Sequence, residues 1–292
     1  MTQVLFNTPI NGIININKQK GMTSHDVVYR IRRLSGIKKV GHTGTLDPNA
    51  QGVLPICIGK ATKLSDMLTG SDKRYTALLR LGVVTDTQDT TGTVIKETEP
   101  CVTDKQLLHA INSFIGEVFQ LPPMYSAIKM NGKKLYQLAR KGIEVEREKR
   151  KIVIYKISIL ERNKFEVLLD IKCSKGTYIR TLCHDIGKLL GCGACMAELT
   201  RTQTGAFHIE DAVTISQIEE SGIEKFIIPV DEMFDYEKIT LSQVQQQKVL
   251  NGQDVEYEAA EDNYYRVYGS DGRFLCISKN SKGILIPIKR FY

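Results

Sequence analysis

The chain has 292 residues, a net charge of +7 and a hydrophobic share of 42%, which excludes a disordered chain and predicts a large body with a smaller appended module. No apolar run approaches the roughly 20 residues that span a bilayer, the N-terminus MTQVLFNTPI lacks the basic-then-apolar order of a secretory signal, and seven scattered cysteines are unlike the dense framework of a small secreted domain. A cytoplasmic protein with reduced thiols follows, and its basic excess suits a polyanionic partner.

In chain order, Gly12 to Lys18 (GIININK) reads as a short strand. Thr23-Ser24-His25-Asp26 has the form of a capping box, with Val27, Ile31 and Leu34 on one helical stripe and Gly36 placed to end it. Arg30, Arg32 and Arg33 lie off that stripe. A loop is expected from Gly41 to Gly52, then a strand from Arg74 to Leu81 with Tyr75, Ala77, Leu79 and Leu81 on one side. A second helix spans Thr103 to Ile115. Lys151 to Leu160 and Phe165 to Cys173 read as hairpin strands, followed by a helix over about Tyr178 to Leu190. Strands and helices mix without strict βαβ alternation, so the body, residues 1–235, is expected to be α+β with a mainly antiparallel sheet. Residues 236–292 show short strands around Ser270-Asp271-Gly272 and Lys282-Gly283, a small β-rich module with eight Lys or Arg against seven Asp or Glu. The body therefore carries most of the positive charge.

The most informative stretch is Gly41-His42-Thr43-Gly44-Thr45-Leu46-Asp47-Pro48-Asn49-Ala50-Gln51-Gly52. Three glycines allow close backbone approach, and Pro48 restricts the residue before it. By pattern alone an Asp before Pro in such a loop reads as a turn or cap residue. Tyr75 on an apolar strand face reads as core.

Six blocks change that reading: Lys18 to Ser24 (KQKGMTS), Gly41 to Gly52, Val53 to Leu64 (VLPICIGKATKL), Ser71 to Tyr75 (SDKRY), Pro123 to Lys134 (PMYSAIKMNGKK) and Cys173 to Thr181 (CSKGTYIRT). In kind and order they resemble the TruB family of bacterial tRNA pseudouridine-55 synthases, whose relatives include guide-RNA-dependent enzymes. Gln19 departs from the proline the family often has there. The resemblance implies the pseudouridine-synthase fold with a central cleft and a PUA-like C-terminal module near the acceptor stem. It also implies conversion of uridine 55 in the TΨC loop to pseudouridine. Asp47 matches the required aspartate, which serves as nucleophile at C1′ or as base toward the C2′ hydrogen. Arg180 matches the arginine that pairs with it and keeps it ionised. Tyr75 matches the aromatic platform for uracil, and Tyr178 and Leu199 match pocket-lining residues. His42 matches the histidine that fills the gap when the nucleotide swings out, and Lys18, Lys63 and Lys129 are candidates for RNA backbone contacts.

No cofactor is expected. Gly59-Lys60-Ala61-Thr62 has the wrong glycine spacing and Ala61 where a phosphate-binding loop has Ser or Thr. Cys192 and Cys195, with Cys183 and His184 upstream, lack the second pair of a zinc site. A monomer acting on the tRNA T stem-loop, with no membrane or nucleotide partner, is the expectation. The alternatives are a non-catalytic RNA-binding protein and a guide-RNA-dependent synthase, the latter disfavoured by the absence of long basic extensions. Every site candidate precedes Gly205, so the body is expected to keep its chemistry without the module.

Overall fold

In the computed structural model, which describes residues 10 to 292 apart from positions 131, 259 and 261, β1 (Gly12–Lys18) leads into α1 (Ser24–Ser35). The segment read above for a secretory signal falls outside the described residues up to position 9. The capping box is formed: the Asp26 N–H donates to the Thr23 hydroxyl at 3.0 Å and the Thr23 N–H to the Asp26 carboxylate at 2.8 Å. Gly36, at φ +69°, turns its N–H back onto the Arg32 carbonyl.

The loop expected from Gly41 to Gly52 is shorter. β2 (Val40–His42) takes its start and β3 (Gln51–Ile58) its end. The sequence hides β3 because both its faces are buried, Leu54, Ile56 and Ile58 in one core and Val53 and Cys57 in another. Such a strand shows no alternation. A 3₁₀ turn (Gly59–Leu64) and α2 (Ser65–Thr69) lead to β4 (Lys73–Leu81), where Tyr75, Ala77, Leu79 and Leu81 face the core as the period demands.

A ribbon of β5 (Val83–Thr85) and β6 (Val94–Glu97) precedes α3 (Asp104–Asn112). That helix stops short of Ile115, because Gly116 at φ +104° turns the chain into β7 (Gly116–Gln120). An excursion holds β8 (Lys129–Met130), β9 (Lys133–Lys134) and α4 (Leu135–Ala139). β10 (Arg150–Arg162) and β11 (Glu166–Cys173) make the expected hairpin, its turn closed by the Asn163 side chain accepting from the Phe165 and Glu166 N–H groups. Then come α5 (Ile179–Leu190), β12 (Ala194–Thr204), β13 (Phe207–His208) and α6 (Ile215–Ser221). The main sheet runs β1-β3-β12-β4-β11-β10-β7, antiparallel throughout except where β12 meets β3 in parallel. This is the mixed, mostly antiparallel sheet of an α+β body.

The C-terminal module comprises β14 (Glu237–Thr240), α7 (Gln243–Leu250), β15 (Val255–Glu256), β16 (Tyr264–Tyr268), β17 (Phe274–Ser281) and β18 (Ile284–Arg290). Its strands form one sheet, β14-β16-β17-β18-β15, around Ile239, Leu241, Val267 and Leu275. The module is not merely appended. Ile277 and Phe291 pack with Ile13, Val53, Cys57, Leu64 and Phe207 of the body in a single cluster. At the same junction Lys63 Nζ donates to the Arg290 carbonyl at 2.6 Å and Lys289 Nζ to the Lys63 carbonyl at 2.8 Å. All seven cysteines are free, and among the described residues no helix is long and apolar enough to cross a membrane.

Candidate active site

Asp47 sits in the irregular stretch between β2 and β3, with both of its neighbours tied down. The Leu46 N–H donates to Ser24 Oγ at 2.8 Å, and that hydroxyl donates to the Leu46 carbonyl at 3.1 Å. The Pro48 carbonyl accepts from the Gly21 N–H at 2.8 Å and from Lys18 Nζ at 3.3 Å. The helix opened by the capping box thus supplies a hydroxyl, and β1 supplies an ammonium, to hold the backbone on either side of one carboxylate. The Asp47 side chain itself stays 41% exposed. A charged group held rigid yet open to solvent is suited to meet a ligand rather than to stabilise a core.

The structure brings Arg180, in the first turn of α5, into an ion pair with Asp47, although 133 residues separate them. The guanidinium is 8% exposed, and its other nitrogen reaches the Asp89 carboxylate at 3.4 Å. Asp89 did not emerge from the sequence. Its Oδ1 accepts from the Thr87 hydroxyl, the Thr91 N–H and the Thr91 hydroxyl at 2.8, 3.0 and 2.5 Å, leaving Oδ2 for the arginine. The turn that delivers it includes Gln88 at φ +64°, a conformation uncommon for a side chain of that kind, stitched down by a bond from the Met196 N–H to the Gln88 carbonyl. Arg180 is therefore oriented by a carboxylate on each side.

Tyr75, from β4, is 8% exposed, and its phenol is pushed up from the ordinary tyrosine value by burial, with the Arg201 guanidinium opposing the shift. Leu199, buried on β12, stands across from Ala77, two residues along from Tyr75 on the same strand face. Tyr178 caps the entrance to α5, where Gln120 grips it through both amide groups: the Tyr178 N–H donates to Oε1 at 2.8 Å, and Nε2 donates to the Tyr178 carbonyl at 3.0 Å. Its phenol is likewise raised by burial. His42 is half-buried at the end of β2, accepts from the Gly44 N–H at 3.3 Å, and is held below the usual imidazole value by burial and by Arg201.

The three lysines part company. Lys18 is turned inward, 1% exposed, its ammonium shared among the carbonyls of Gln19, Met22 and Pro48 at 3.1, 2.7 and 3.3 Å. A phosphate contact from it is not available, and the expectation is corrected: desolvation drives this ammonium onto backbone oxygens. Lys63 is exposed but engaged with the C-terminal module as described. Lys129 is exposed on β8, directly opposite Lys134 on β9. Two residues missed by sequence reading are Asp89 and Arg201, buried charges: the ionic partner of Asp89, Arg180, and the carbonyls that Arg201 reaches are distant in the chain. Among the described residues no cluster of His, Cys, Asp or Glu could hold a metal ion.

Residues 32–179 match the model of the TruB family pseudouridylate synthase N-terminal domain, 180–235 a tRNA pseudouridylate synthase B C-terminal domain, and 238–289 the pseudouridine synthase II TruB C-terminal domain. The tRNA pseudouridine synthase B of Clostridium kluyveri is 47% identical over 97% of this chain and 100% of its own. That of Clostridium tetani is 48% identical over 94% and 96%. Among solved structures, a chain of a Cbf5-Nop10-Gar1 complex superimposes with a TM-score of 0.68 at 27% identity, over 96% of this chain and 85% of that one. A chain of an H/ACA RNP bound to a substrate RNA containing 2′-deoxyuridine does so with a TM-score of 0.68 at 25% identity and the same coverage. With near-complete coverage by relatives, and with the aspartate, arginine and tyrosine of the sequence blocks assembled in one place, the chain belongs to the TruB family of pseudouridylate synthases.

Proposed function

We propose that the protein isomerises uridine 55 in the TΨC loop of tRNA to pseudouridine, acting as a monomer in the cytoplasm, with Asp47 as the catalytic residue and no cofactor. The observation that carries this reading is the Asp47–Arg180 pair: a half-exposed carboxylate, its backbone neighbours tied down on both sides, held by a buried guanidinium. The N1–C1′ bond of the target must break, the uracil must turn, and a C5–C1′ bond must form, after which C5 gives up its proton and N1 gains one. A carboxylate beside the ribose serves the first step by attacking C1′ or by taking the C2′ proton. Arg180 orients it. The departing uracil carries negative charge, and the buried cations Lys18, Arg180 and Arg201, against buried Asp89 and the half-exposed Asp47, leave a positive excess to meet it. Tyr75, whose phenol burial pushes up, offers a flat face for the base.

The target base has to leave its stack to reach Asp47, and in this reading His42, at the end of β2, fills the space it vacates. Lys129 and Lys134, forced opposite one another on a two-stranded ribbon, repel unless a polyanion lies between them. That pairing fits an RNA backbone. The test is pseudouridine mapping after incubation of the purified protein with unmodified tRNA and no guide RNA, for wild type and Asp47→Asn, with a binding isotherm for each. The wild type should modify one position. The variant should bind within about threefold of wild type yet lose more than the roughly 10² to 10⁴ of a single acid-base contribution. A variant that turns over within tenfold of wild type removes Asp47 from its role.

A further inference from the structure

Among the described residues Arg201, on β12, is the bulkiest of the fully buried side chains. A buried guanidinium ordinarily faces a carboxylate, yet no described carboxylate lies in ion-pair reach of this one. Its donors go to backbone instead: Nε to the Val53 carbonyl at 2.7 Å, Nη2 to Gly44 at 3.1 Å and Nη1 to Thr45 at 3.5 Å. Those carbonyls belong to the two ends of the stretch that carries Asp47. In register, Arg201 stands opposite Gly52 on β3 and opposite Tyr75 on β4. Gly52 makes the approach possible: at φ +104°, a Cβ there would come within 2.2 Å of the Arg201 carbonyl oxygen.

Asp47 and Tyr75 stand on separate elements, the loop that leads into β3 and the strand β4, and β12 lies between β3 and β4 in the sheet. Ser24 and Lys18 tie that loop to α1 and β1, but neither of those contacts reaches the strand that carries Tyr75. We propose that Arg201 is a positioning residue for the reaction, holding the Asp47 loop at a fixed separation from Tyr75 so that carboxylate and phenol meet one nucleoside together. The planar fork suits the task, because its donors are fixed relative to one another in one rigid plane, whereas an ammonium presents three rotatable donors from a single point on a flexible stem. This rests on the reading of Asp47 and Tyr75 given above.

Two full-length variants test it, Arg201→Met and Arg201→Lys, each also in a Tyr75→Phe background. The measurements are the single-turnover rate of pseudouridine formation at saturating tRNA transcript, the Kd for that transcript, and a thermal melt. Arg201→Met should lower the rate about 10² to 10³-fold with Kd within about threefold, the scale of a misplacement near 1 Å. Arg201→Lys should recover about tenfold of that loss. In the Tyr75→Phe background the Arg201→Lys penalty should shrink to less than about threefold, since the residue acts through the tyrosine's placement. A residue that merely ties strands together would lose rate in proportion to affinity, and its penalty would carry over in full. Either result overturns the inference, as does a rate within threefold of wild type for Arg201→Lys. If Arg201→Met does not fold, Arg201→Lys in its two backgrounds decides alone. A wild type that makes no pseudouridine sinks the functional reading and this inference with it, whereas an active wild type with a silent Arg201 sinks only this one.

Discussion

Lys18 illustrates how far a single residue can depart from its surface stereotype. Burial pulls its ammonium down to about 8, an effect that Asp47 and Asp26 oppose and Arg201 reinforces. The folded value thus lies below the ordinary lysine value near 10.4. The sign of the stability effect follows: between about pH 8 and 10.4 the unfolded chain binds more protons, so this group's contribution to stability rises with pH there. Turnover should move the other way. Losing the proton removes one of three donors, and the longest of the three bonds is to Pro48, beside Asp47. The expected outcome is a single-turnover rate that falls as pH rises through about 8, with no matching fall in melting temperature. Arginine does not titrate in this range, so the limb should vanish in Lys18→Arg. A limb that persists in that variant belongs to the RNA or to another group.

At the scale of elements, the catalytic stretch is irregular but not loose, because α1, β1 and β12 each lend it a side chain. Ser24 is the least redundant of these: one hydroxyl satisfies both the N–H and the carbonyl of Leu46. Ser24→Ala leaves that buried N–H without an acceptor, at a cost of roughly 1–3 kcal/mol. Helix α1 keeps its Thr23 cap, so the loss is confined to the loop. Denaturant titration should show this destabilisation, with an accompanying drop of about tenfold in single-turnover rate as the residue before Asp47 gains freedom. A variant that loses stability but keeps its full rate would show that Ser24 supports the fold and not the placement of Asp47.

For the whole molecule, the junction between body and module sets what removal of the C-terminal part would cost. Val53 and Cys57 lie on β3, immediately after the Asp47 stretch, and they pack in the cluster that Ile277 and Phe291 complete. Truncation after Asp235 uncovers that face. Burying each of those two side chains is worth about 1.5–3 kcal/mol, so the truncated chain should melt roughly 10 °C or more below the full protein and bind a hydrophobic dye. Any fall in its activity should track this loosening rather than lost phosphate contacts, given the module's net of +1. An unchanged melting temperature without dye binding would mean that the body is self-sufficient.

What the sequence by itself determined was local. The Thr23 capping box, the Gly36 stop, the alternation of β4 and the β10–β11 hairpin are written within a few residues, because they arise from backbone hydrogen bonds and side-chain period. The motif blocks also placed Asp47, Tyr75 and Arg180 in one candidate set. Only the tertiary structure decided the rest. β3 is apolar on both faces and so carries no period, and β12 was not read as a strand at all. Asp89 and Arg201 are ordinary polar residues in the sequence. They acquire meaning only when Arg180 comes across 133 residues to stand beside Asp47 and Arg201 crosses 148 to reach Val53. The same holds for Lys18, whose ammonium faces inward because Met22 and Pro48 close over it. A charge's partner is set by which chain segments pack against it, and that packing is fixed by the burial of the whole sheet rather than by neighbours in sequence.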